Sequence, residues 1–274
     1  VITYFKGLFD KLFEEAFGTT EPQETQNTIS RIFRIEKPNA TIREIIEFIN
    51  QLVTLKRIWG NEIDLLHSAV FAIKEKEILK DPVKQILSGD YLGNNLKYIV
   101  VNNEELQTNI STLVYGVSKK YAKQIPMKKY IESCFDNEAY DINKHSQSPL
   151  FIPILQSSIQ DTDKVKIDSI IAALSKLKVD SFEDKDKLTI TSLWDELAKK
   201  KEKHDDDDDF IEQKFDDSHK ALLLNISDKN SFVERMCHRI QGFTTSANSP
   251  NIEFSGINYY NSLKTIEECV EENN

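Results

Sequence analysis

The sequence predicts a mainly α protein made of two helical subdomains, with at most minor β structure. Three observations lead there. Apolar residues recur at three- and four-residue steps in one stretch after another. Helix-start residues (Thr, Asn, Ser and an Asp-Pro pair) stand directly before several of those stretches. Glycine and proline are scarce, 8 and 7 in 274 residues, and alternating β-branched runs are few.

Residues 2–17, ITYFKGLFDKLFEEAF, place Phe5, Leu8, Phe9, Leu12, Phe13 and Phe17 on one helical face, and Gly18 stops the helix. That aromatic stripe either docks into its own core or offers a face to a partner. A shorter helix over about 23–33 follows, with Ile29, Ile32 and Phe33 on its apolar side. Together with the turn at Pro38, residues 1–38 precede the best-defined element of the chain.

That element is NATIREIIEFINQLVTLKRIWG, residues 39–60. Thr41 followed three residues later by Glu44 fits a capping box, so the helix starts near Ile42. Ile42, Ile45, Ile46, Ile49, Leu52 and Val53 form the expected apolar stripe, and Gly60 supplies the stop. Arg43 sits in the first turn, where the helix dipole gives a cation no help. A guanidinium beside a helix start suits an anionic group such as phosphate. The plainer alternative is a surface arginine paired with Glu44 or Glu47.

Beyond Gly60, Asn61 is a candidate cap for a helix to about Leu79, with Ile63, Leu66, Val70 and Ile73 inward and His67 at an interface. Asp81-Pro82 opens another helix. YIVV (98–101) is the clearest β candidate, Asn103 caps the helix that follows, and Pro126 opens the last helix of the subdomain. Residues 39–136 thus read as one closely linked helical domain. In the region 137–274, NEAYDINKHSQ (137–147) reads as a linker, and LFIPIL is a poor central strand because of Pro153. Helices are expected over 163–177, 188–199, 219–225 and 231–241. KKKEKHDDDDD (199–209) reads as an acidic flexible link; an EF-hand loop needs spaced ligands, a turn glycine and a closing glutamate that it lacks. A loop over 242–256 and a charged helix or frayed tail complete the chain.

The run TIREIIEFINQLV resembles the start of the helical lid in AAA-like, KAP-type bacterial P-loop NTPases. Arg43, Ile45, Phe48, Ile49, Asn50 and Leu52 match that family's pattern, and Ile42 stands where it usually has proline. ILKDPVKQILSGDYL and STLVYGVSKKYAKQIPMKKYI look like segments that follow the lid, so the resemblance spans about 1–135. It implies that 39–136 is a lid-like domain and that Arg43 is the sensor-2-like residue reaching a nucleotide's terminal phosphates. It also implies an upstream nucleotide-binding domain of the same parent chain, with ATP and Mg held there, and links such proteins to ATP-driven switching, in some cases in bacterial antiphage systems.

The chain as given carries no G-x-x-x-x-G-K-[ST] loop, G-x-S-x-G elbow, H-E-x-x-H pair or dinucleotide glycine signature. No catalytic residue is assigned, and no cofactor or metal is expected to be held by this chain itself. Cys237 and His238 are adjacent and point apart on a helix. A formal net charge of −10 disfavours general nucleic-acid binding. Three widely spaced cysteines suggest reduced thiols in a cytoplasmic protein, and no run is long and apolar enough to suggest a membrane span. The chain opens on Val1 rather than Met, consistent with the expectation that it is a portion of something longer.

The leading expectation is therefore a non-catalytic C-terminal lid or regulatory fragment of a larger ATPase. The alternative is a stand-alone helical interaction module, which binds a protein partner or self-associates. A third, weaker reading is a winged-helix-like nucleic-acid reader in the C-terminal half.

Overall fold

Helices alone make up the regular structure among the described residues, and no strand occurs there. The computed structural model describes residues 2–18, 21–161, 166–207, 215–245, 260, 261 and 263–268, with side chains for all of these except 2–6, 204–207 and 239–245. The chain divides into two units, Val1–Tyr130 and Ile131–Asn274. The division falls inside the helix Ile125–Asp136.

Unit 1 begins with α1 (Ile2–Phe17), α2 (Gln23–Glu36), α3 (Ile42–Trp59) and α4 (Leu65–Ile78). The aromatic stripe from Leu8 onward turns inward, with Phe9 and Phe13 fully buried and Leu8, Leu12 and Phe17 partly buried, while the Phe5 side chain lies outside those described. Phe9, Phe33 and Phe48 stack as a tilted group with centroids 4.6 to 6.3 Å apart, tying α1, α2 and α3 together. On α3 the buried residues are Ile45, Phe48, Ile49 and Leu52. Ile42 and Ile46 stay 50% and 41% exposed, so the true buried face is rotated toward Phe48 from the stripe expected at sequence level.

Helix α4 is apolar round much of its circumference because two cores meet on it. Leu65 and Ala69 face the aromatic core, Val70, Phe71 and Ile78 face a second one, and Leu66 and Ile73 pack on both. Its cap is Asp64, whose carboxylate accepts from the Leu66 N–H at 2.7 Å, and not Asn61. The second core is closed by α5 (Pro82–Ser88), a 3-10 turn (Asp90–Leu92), α6 (Gly93–Leu96) and α7 (Glu104–Tyr115). Asn103 caps α7 as expected, accepting from the Leu106 N–H at 2.9 Å. The β candidate 98–101 is instead a turn: the Ile99 and Val100 N–H groups both donate to the Leu96 carbonyl, burying Val100 and exposing Tyr98 and Val101. Two further helices, α8 (Lys119–Ala122) and α9 (Ile125–Asp136), follow.

Unit 2 contains α10 (Phe151–Gln160), α11 (Ile167–Leu174), α12 (Asp184–Asp207), α13 (Asp217–Asn225) and α14 (Lys229–Thr245). Pro153 is no obstacle to α10, since it falls in the first turn, where its missing N–H would be unpaired anyway. The stretch 137–147 is no free linker. Ile142 is buried, and the Asn143 side chain donates to the Lys176 carbonyl while accepting from the Lys178 N–H. The acidic link expected over 199–209 is helical as far as Asp207, and Lys201 within it is buried. Residues 208 and 209 lie outside the described residues, as do 246–256 of the expected loop; 263–268 are helical.

Candidate functional site

The start of α3 is built as its sequence demands. Thr41 Oγ1 accepts from the Glu44 N–H at 3.3 Å, and Glu44 Oε2 accepts from the Thr41 N–H at 2.8 Å. That backbone bond from Thr41, with a second from its hydroxyl, holds the Glu44 carboxyl below the usual carboxylate range. Arg43 is the second helical residue, its side chain 87% exposed, and its Nε donates to Glu47 Oε1 at 2.8 Å. The Glu47 hydrogen bond raises the guanidinium further above its ordinary value.

The motif residues around Arg43 have structural work. Ile45, Phe48, Ile49 and Leu52 are core, whereas Arg43 and Asn50 are exposed. Packing therefore explains the apolar part of the pattern and leaves Arg43 unexplained by it. Exposed Ile42 and Ile46 lie beside it, one helical turn apart. An exposed ion pair four residues apart on a helix contributes little, so a phosphate offering a bidentate partner can replace Glu47.

Next to this helix start, α2, α3 and α4 enclose a groove of about 450 Å³. Phe33, Phe48, Ala72 and Ile73 give it an apolar floor, and Glu36, Glu44, Glu47, Glu75 and Glu77 outnumber Lys37 and Lys76 around it. Glu36 is held by the buried Lys74 at 2.5 Å, and Glu75 accepts from Gln51 at 3.3 Å. Sequence reasoning missed this groove, because three helices separated along the chain build it.

Elsewhere, the His67 and Arg235 side chains have fixed partners. His67 Nδ1 lies 2.7 Å from Asn109 Nδ2 across α4 and α7, and burial lowers its pKa. Arg235 makes a forked pair with Glu202 on α12, at 2.9 Å from Nη2. Among the described residues no group of three His, Cys, Asp or Glu side chains could hold a metal; Cys237 is partly buried, with its thiol pushed up by burial. Cys269 and the Arg239 side chain fall outside what is described. Among the described residues no helix is long and apolar enough to cross a membrane, and there is no strand to form a wing.

Unit 2 carries one polar cluster that the sequence did not announce. The Lys201 ammonium, 5% exposed, meets Asp168 of α11 at 2.9 Å and Asp216, the α13 cap, at 3.4 Å. Asp216 also bonds His219 Nδ1 at 2.7 Å. Burial would raise the Asp216 carboxyl, but His219 and Lys201 outweigh it and hold it well below the usual range. The cluster fastens three helices.

No family model, curated protein or solved structure matches the chain.

Proposed function

We infer that unit 1 is the helical lid, or a regulatory portion, of a larger P-loop ATPase, non-catalytic by itself, with Arg43 as its contact to nucleotide. The observation that supports this is the placement of Arg43: a cation with no packing role, held out at 87% exposure from a capped helix start. In a lid-closed state the guanidinium would leave Glu47 for the terminal phosphate of an ATP bound with Mg by an upstream nucleotide-binding domain. Two charge-assisted bonds there would favour the closed state by a few kcal/mol, roughly a tenfold to several-hundredfold population shift. The aromatic core would carry the movement of α3 to α1 and α2.

The test is ATP turnover by the natural polypeptide carrying this chain and its proposed upstream domain. Arg43→Ala should slow turnover while leaving thermal stability nearly unchanged, and Arg43→Lys should restore only part of it because a lysine cannot form the fork. Turnover equal to the parent in both variants removes Arg43 from the reaction.

A second reading, a helical protein-interaction module, is favoured by the acid-rimmed groove between α2, α3 and α4. Its natural occupant would be a partner with a basic, partly apolar surface.

A further inference from the structure

Unit 1 carries two surfaces that match each other and lie apart on the same fold. One is the groove just described, with five carboxylates, two ammonium groups and an apolar floor. The other is the segment 118–130, SKKYAKQIPMKKY, which has five lysines and no acidic residue in a chain whose net charge is −10. It forms α8 and the first part of α9, and α8 packs on α7. Lys120, Tyr121, Lys123, Lys128 and Lys129 are exposed, Tyr121 to 64%. No residue of this segment lines the groove of its own chain.

We propose that the groove of one copy receives the basic α8–α9 segment of a second copy, giving a head-to-tail self-association. Tyr121 fills the apolar floor over Ala72 and Ile73, a rigid aromatic in a concave pocket. Lys120 and Lys123 meet Glu75 and Glu77 at the rim. Lys123 gives up its exposed pair with Glu104 at little cost, while Glu36 keeps the buried Lys74. Because the two surfaces differ, each copy offers one of each, and the contact propagates rather than closing on a two-fold axis. It does not depend on any nucleotide role for Arg43, and an Arg43→Ala variant that keeps full turnover leaves it untouched.

Sedimentation velocity on the full chain tests it. The wild type should show a sedimentation coefficient that rises with concentration, and the midpoint should move upward at least about tenfold when salt is raised from roughly 0.05 M to 0.5 M. Glu75→Lys with Glu77→Lys removes the groove, and Lys120→Glu with Tyr121→Ala removes the segment. Each variant should stay monomeric while keeping the wild-type circular dichroism and melting temperature; if the first double variant is unfolded, the exposed Glu77→Lys alone takes its place. The two variants mixed still share one intact groove and one intact segment, so the mixture should form a dimer and stop there. A wild type that is monomeric throughout, variants that associate like the wild type, or a mixture that stays monomeric would each overturn the proposal. So would a monomeric wild type whose groove binds a synthetic leucine–lysine peptide, since that gives the groove a different basic occupant.

Discussion

At the scale of single residues, several side chains have fixed partners whose loss is measurable. The His67 ring accepts at Nδ1 from the Asn109 side-chain amide in a half-buried site, and burial depresses its pKa. With Nδ1 accepting, protonation destroys the acceptor. The unfolded chain binds that proton near the ordinary value of 6.5, so stability is complete above it and is lost as pH falls toward the lower folded value. Urea melts between about pH 7 and 5 should show that loss, and His67→Gln should flatten it. Gly89 sits at φ +72°, and a Cβ there would overlap the Asn102 amide. Gly89→Ala should therefore destabilise the fold by roughly 1–3 kcal/mol, while Gly7→Ala, a helical glycine with open space around it, should not. The exposed pair of Arg43 with Glu47 was legible in the sequence as one of two alternatives, because spacing of four on a helix is a local rule.

Locality also decides what could be read at the scale of elements. The Thr41–Glu44 box, the Asn103 cap and the Pro82 start were all visible in advance because each depends on neighbours within one turn. Thr41→Ala should cost about 1 kcal/mol in chemical denaturation, most of it from the Glu44 N–H left without its acceptor. Sequence and structure part where distant packing decides. Val100 belongs to a turn because Leu96 and Val100 fill the second core beside α4 and α7, which an isolated YIVV does not announce. The Lys-rich stretch after 199 stays helical because Lys201 is held by Asp168 and Asp216, residues 33 and 15 positions away. Replacing both aspartates by asparagine takes two carboxylates from beside a buried ammonium and should destabilise the fold more than Lys201→Met does, because both aspartates reach solvent when the lysine is gone. Acid titration reads the same cluster. The Asp216 carboxyl is depressed, so its contribution is present above the ordinary carboxylate range and is lost progressively as pH falls from that range through its low folded value.

For the molecule as a whole, the all-helical class followed from periodicity and the scarcity of glycine, while the groove did not, since Phe33, Phe48 and Ile73 come from three separate helices. Charge has the same lesson: a net −10 spread over 274 residues conceals one lysine-rich segment and one glutamate-rich groove. Under the proposed ATPase reading, the start of α3 faces a nucleotide held by another part of the polypeptide. The most direct measurement is hydrogen exchange over residues 41–47 of the natural polypeptide during turnover of MgATP. Slower exchange there with MgATP than with MgADP, abolished by Arg43→Ala, is the predicted result. Exchange that is identical in both nucleotide states while ATP is being consumed would contradict it.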